Sequence, residues 1–209
     1  WSNYYAALTN IRELERRFDT AEGDTEILNN VRAQLKIITA YKTFRMTDIF
    51  GDIPFFDAGR GFQSLQYLEP KFDSQEEIYK FLLNDLAEAN KILNTLPNPA
   101  TADGTPYVSF GDFDNLFGNT SNPARMWQKF GNSLRLRHAL RMIEKDAAFA
   151  ENIIKEIVEN DLPIIEDGED VGLYPSQLSW QKESTHWSFR EHKKLRMGSN
   201  IWRCVSLGS

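Results

Sequence analysis

The chain has 209 residues, 41% hydrophobic and 26% charged, which suits one globular domain or a piece of a larger one and is too apolar for disorder. A net charge of -6 excludes a nucleic-acid footprint, which needs a basic surface to displace counterions from phosphates. The single cysteine, Cys204, excludes an internal disulfide or a multi-cysteine metal site, and no apolar run approaches the ~20 residues of a membrane span. The chain opens at Trp1 with neither Met nor a signal peptide and stops after Gly208-Ser209, so it is expected to be a fragment.

Tyr4, Leu8, Ile11, Leu14 and Phe18 recur at helical spacing and predict a first helix with one apolar stripe, ended by residues 19–23. From Ile27 to about Phe50, apolar residues lie on two sides: Val31, Leu35, Ile38 and Ile49 on one, Ile37, Ala40, Tyr41 and Phe44 on the other. Such a helix is packed between neighbours. Gly51-Asp-Ile-Pro54 breaks it, and a polar, glycine-bearing connection runs to Lys71. Asp73-Ser-Gln-Glu76 has the spacing of a capping box with Asp73 as the cap. The helix it opens carries Ile78, Phe81, Leu82, Leu86, Ala89 and Leu93 on one face and stops at Leu96-Pro97.

Residues 97–122, rich in Pro, Gly, Asn and Asp, predict a long loop that holds Tyr107, Phe110, Phe113 and Phe117. Asn122-Pro123 forms an N-cap and N1 pair for a helix with Trp127, Phe130 and Leu134 on one side and Leu136, Leu140 and Ile143 on the other. A shorter helix, from about Ala147 to Glu159, precedes a turn-rich tail from Pro163. No strand-like alternation of useful length occurs. The expected fold class is all-α, an array of helical hairpins with long irregular loops: a scaffold over residues 1–160 and a loop-rich tail over 161–209. There is no strict 34-residue repeat, so tetratricopeptide geometry does not follow from periodicity alone.

Catalysis needs a nucleophile with its base, a paired acid and base, or a metal cluster. His138, His186 and His192 have no metal-binding spacing, and neither a glycine-rich phosphate loop nor a nucleophile elbow is present. No enzyme, cofactor or metal is therefore expected. The acidic run from Glu166 to Asp170 lacks the ordered alternation of a calcium loop, so it is expected to be a solvated turn. Asp48 with Asp52, or Asp112 with Asp114, could supply the two carboxylates of a glycosidase. The position of Asp48 at a helix end and Asp52 in a turn favours bonds to backbone or to arginine.

His138 falls on the Trp127 face of its helix, as a core histidine would. On the same helix Phe130, Leu134, Arg137 and Arg141 share one stripe, so two guanidinium groups continue an apolar seam. A buried guanidinium must be paired. Arg137 or Arg141 is expected to pair with a carboxylate of the corner from Asp48 to Asp52. Trp180, Trp187 and Trp202 lie among polar residues near the end of the chain. They either staple an irregular tail to the helices or offer indole faces to sugars. With Tyr107 of the long loop they are the candidate ligand-binding residues.

Three stretches carry a family resemblance. Tyr41-Lys-Thr-Phe-Arg-Met-Thr-Asp-Ile-Phe-Gly-Asp-Ile-Pro54, Pro70-Lys-Phe-Asp-Ser-Gln-Glu-Glu-Ile-Tyr79 with Leu83 to Ala89, and Trp127-Gln-Lys-Phe-Gly-Asn-Ser-Leu-Arg-Leu-Arg-His-Ala-Leu-Arg141 resemble, in the same order, three blocks of the SusD/RagB family. Gly131 stands where that family usually has Ala, and Phe55 and Phe72 stand where it often has Tyr. The resemblance implies a tetratricopeptide-like scaffold in a non-catalytic lipoprotein at the surface of the outer membrane of a Bacteroidetes-type bacterium. It implies capture of oligosaccharide or polysaccharide for a SusC-like TonB-dependent transporter, with the lipid anchor before Trp1. Peptide or protein binding by a helical-repeat surface is the alternative, and a glycoside-processing enzyme comes last.

Overall fold

A computed structural model describes residues 1–22, 25–94, 114, 116–118, 120 and 122–171. Five α-helices are present among them: α1 (Ser2–Thr20), α2 (Thr25–Phe50), α3 (Gln75–Asn94), α4 (Pro123–Met142) and α5 (Ala147–Glu159). A 3-10 turn covers Leu65–Tyr67, and one antiparallel bridge joins Ile53 to Asp73. Trp1–Asp170 form one compact unit, and Val171–Ser209 a second, of which only Val171 is described. Each helix packs against the next in the chain, and α2 also meets α4. The first unit is thus an all-α array of helical hairpins, as the apolar periods predict. No helix among the described residues is long and apolar enough to cross a membrane.

Helix α2 lies against α1, α3 and α4, which explains its two apolar sides. Ala33, Ile37, Ala40 and Phe44 are fully buried, and so are polar Gln34, Thr43 and Thr47. The threonines are satisfied locally. Thr47 donates to the Gly51 carbonyl at 2.6 Å, Thr39 to that of Leu35 at 2.7 Å, and Thr43 accepts from the Tyr4 hydroxyl at 3.2 Å. Ile49 and Tyr41, assigned to packed stripes by their spacing, are exposed instead. A helical period decides which residues share a face, but only the neighbours decide how far along the helix that face is covered.

The cap of α3 is shifted by one residue from the expected register. Ser74, not Asp73, closes the box: its Oγ accepts from the Glu77 amide at 3.2 Å, and its hydroxyl reaches the Glu77 carboxylate at 2.8 Å. Asp73 is buried, and one of its oxygens accepts the amides of both Phe55 and Phe56 at 2.9 Å. On α4 the expected cap is present, with Asn122 Oδ1 accepting from the Arg125 amide at 2.9 Å and Pro123 opening the helix.

Trp127, Phe130 and Leu134 of α4 are buried, but Leu140 and Ile143 of the expected second stripe are 52% and 40% exposed. The second buried side is made instead of small and polar residues: Gly131, Asn132, Arg135, His138 and Ala139. Gly131 is where the helices come closest, since a Cβ there would lie 2.3 Å from Asn90 Oδ1 and 3.1 Å from Ile37 Cδ1. Asn90 Nδ2 donates to Asn132 Oδ1 at 2.7 Å, and Asn132 in turn donates to the Pro163 carbonyl at 2.9 Å. The acidic turn after α5 is exposed, as expected, and it is also tied to α4. Lys129 gathers Glu166 at 2.7 Å and Glu169 at 2.8 Å, with Gly168 in the left-handed region at φ 83°.

Candidate functional site

The corner between α2 and α3 is built by backbone capping. Gly51, at φ 72°, ends α2 with its amide on the Thr47 carbonyl at 2.8 Å. Asp52 Oδ1 accepts from the Gln75 amide at 2.9 Å, while the Gln75 side chain donates to the Thr47 carbonyl at 2.7 Å. Ile53 and Asp73 exchange backbone bonds of 3.2 and 3.0 Å. The turn is thereby fixed to the start of α3. A cleft of about 430 Å³ opens beside it, lined on one wall by Asp48, Gln75, Glu76 and Tyr79. Arg141, Met142 and Lys145, at the end of α4, and Asp146, which caps α5, make the other wall.

At the floor, Asp48 accepts a short hydrogen bond from the Tyr79 hydroxyl, and Arg141 Nη2 stands 3.3 Å from the same carboxylate oxygen. The Tyr79 oxygen is 3.4 Å from His138 Nδ1, and the His138 ring stacks on Phe44 with centroids 3.7 Å apart. Burial lowers His138 to about 4, so its imidazole is neutral near pH 7. Burial, with the Asp48 carboxylate beside it, pushes the Tyr79 hydroxyl up. Both groups therefore hold one protonation state. Lys80 bridges the rim from Glu76 at 2.8 Å to Asp146 at 2.9 Å. Among the groups that line the cleft, Arg141 and Lys145 carry donors and Asp48, Glu76 and Asp146 carry acceptors. Such a set orients a ligand rich in hydroxyl groups.

Asp48 and Arg141 thus meet, whereas Asp52 serves a helix N-terminus and Arg137 is exposed. The in-stripe arginines are not buried: Arg141 is half exposed at its side chain, and the buried guanidinium of α4 is Arg135, which holds Glu156 at 2.6 Å. Trp127 is 1% exposed, and its indole N–H donates to Asp114 Oδ2 at 2.8 Å. Asp114 Oδ1 also accepts the amides of Leu116 and Phe117 at 3.0 and 2.9 Å, so this carboxylate serves as an internal cap. Tyr107, Trp180, Trp187 and Trp202 lie outside the described residues, as does Asp112. Sequence reasoning missed Tyr79, Lys145 and Asp146. The signal for Tyr79 was its place one turn before Leu83 on a second buried stripe of α3.

A SusD-like family model, described as starch-binding associating with outer membrane, matches residues 1–201. The chain belongs to this family. Among solved structures it is similar to that of BT1043, at 26% identity over 95% of this chain and 35% of the other, with a TM-score of 0.65. It is also similar to a chitin-binding SusD homologue from Flavobacterium johnsoniae, at 23% identity over 79% of this chain and 31% of the other, TM-score 0.61. A SusD homologue from Bacteroides thetaiotaomicron, BT1281, shares the fold at 22% identity over 96% of this chain and 34% of the other, TM-score 0.62. The chain spans about a third of the length of these structures. No protein of curated function matches it.

Proposed function

We propose that the protein is a non-catalytic glycan-binding lipoprotein of the cell surface. It captures oligosaccharide or polysaccharide and delivers it to a SusC-like TonB-dependent transporter of the outer membrane. The observation that carries this reading is the family match over residues 1–201, whose description joins starch binding to the outer membrane. The chitin-binding relative supports it. So does the cleft of about 430 Å³ lined by both donors and acceptors.

A glycan array probed with the full-length protein tests the reading, alongside alanine variants of Trp180, Trp187, Trp202 and Tyr107. Binding to at least one glycan class is expected, together with co-purification of a TonB-dependent transporter from native membranes. Failure of every sugar to bind would remove the glycan assignment. Saturable peptide binding in its place would assign peptide capture, and release of products from a polysaccharide would make the protein an enzyme.

A further inference from the structure

Beyond α5 the chain lies against one side of α4 as a strap, residues 163–170. Asn132 donates to the Pro163 carbonyl at 2.9 Å, and the Ile165 amide donates to the Ser133 hydroxyl oxygen at 2.8 Å. The Lys129 ammonium donates to Glu166 at 2.7 Å and to both carboxylate oxygens of Glu169 at 2.8 and 3.0 Å. Positions 129, 132 and 133 are three and four residues apart, so their side chains share one side of the helix. The Glu169 carboxylate also accepts the Glu166 amide at 2.8 Å, and the Glu169 amide donates to the Glu166 carbonyl at 3.1 Å. The tip of the strap is thus folded about the same group that Lys129 holds.

Burial divides the two sides of this contact. No residue from Asn160 to Val171 is buried, whereas Lys129 and Asn132 are. A segment held mainly by polar contacts, with little apolar area behind them, opens at a lower free energy than the helices it lies on. The charges are divided in the same way. The Lys129 side chain is 11% exposed, while its partners Glu166 and Glu169 are 71% and 28% exposed. Solvent therefore reaches the carboxylates, and the ammonium stays within the helix packing. Among the described residues no other carboxylate pairs with Lys129. If the strap lifts, this ammonium loses both partners at once, and a poorly hydrated charge left unpaired is costly. That cost draws the strap back.

We propose that residues 163–170 form a latch that leaves α4 as one unit while α4 and α5 stay folded, with Lys129 as its catch. The single Glu169 carboxylate couples the parts, because it joins the catch to the fold of the tip.

Amide hydrogen exchange in the full-length protein, resolved by residue, tests this with wild type, Lys129→Met and Glu169→Gln. In wild type the amides of Ile165, Glu166 and Glu169 are expected to open together, with protection at least about tenfold below that in the middle of α4 and α5. Lys129→Met is expected to lower strap protection by about another tenfold and to leave α4 and α5 as they were. Should Lys129→Met loosen α4 itself, Glu169→Gln removes the ion pair from the strap side and keeps an acceptor for the Glu166 amide. It is expected to cost the strap a severalfold part of its protection. Strap amides as protected as those of α4, three strap amides that open independently, or protection unchanged in both variants overturns the latch. So does a loss that spreads through α4 in both variants, since strap and helix would then be one cooperative unit.

Discussion

Behind Tyr79, His138 is 5% exposed and stacked on Phe44, so protonating it would strand a charge away from water. Its folded value of about 4 lies below the ordinary 6.5. Between those two values the unfolded chain binds the proton and the folded chain does not, so stability rises with pH across that window and is lost as pH falls. The loss amounts to roughly 3 kcal/mol at most, at 1.36 kcal/mol for each unit. Urea denaturation from pH 4 to pH 7 is expected to show this slope in the wild type and a shallower one in His138→Phe. Parallel curves would refute the assignment. Asp114 poses the complementary case, a carboxylate that accepts two amides and the Trp127 indole. Asp114→Ala leaves three donors without an acceptor and is expected to cost roughly 3 kcal/mol, with Asp114→Asn milder because one acceptor remains. A change within about 0.5 kcal/mol in either chemical denaturation or Trp fluorescence midpoint would show that the indole bond is dispensable.

Between elements, close approach rather than greasy contact sets the packing of α4. An alanine at Gly131 would favour the helix by about 1 kcal/mol through propensity. Its Cβ would fall 2.3 Å from Asn90 Oδ1, on an amide already bonded to Asn132. The clash is expected to win, giving a net loss of about 1–2 kcal/mol. A double-mutant cycle with Asn90→Ala measures this directly: coupling above about 0.5 kcal/mol is expected, and simple additivity would show that the helices separate without cost. Gly59→Ala meets both an unfavourable φ of 77° and the backbone of α1, and is expected to cost about 1–3 kcal/mol in the same assay. The capping registers carry a related lesson. Asn122 was legible as a cap from its place before Pro123, and it accepts the third amide of α4 as Asp146 accepts that of α5. Asp73 and Ser74 both have capping chemistry, and only the bridge to Ile53 turns the Asp73 side chain toward Phe55 and leaves the helix to Ser74.

For the molecule as a whole, packing follows the order of the chain, so stability is expected to grade along it. Among the described residues, helix α5 packs on α4 alone of the helices, whereas α2 has three helical neighbours. Amide hydrogen exchange should therefore find α5 opening at lower free energy than α2 and α3, and equal protection in all three would contradict a stacked array. The five helices could be read from apolar spacing because each buries at least one stripe. What spacing could not supply was which polar residues lie inside. Arg135 and Arg137 are two positions apart on α4, and only the arrival of Glu156 on α5 makes the first of them the buried one. Likewise nothing in the exposed run from Glu166 to Asp170 shows that Lys129, nearly forty residues earlier, gathers two of its carboxylates. The Asp48 corner was legible because its aspartates flank a Gly-Asp-x-Pro break, but its cleft depends on Asp146 and Lys145 from beyond the next helix hairpin.

The pairing of a histidine that stays neutral with a tyrosine that stays protonated gives this corner a character beyond shape. Neither of these two rings changes its charge near neutral pH. Release of a ligand held there would not be triggered by the protonation of either ring. The capture and hand-over proposed above would then run in a single medium, with neither ring supplying a proton to tell the two steps apart.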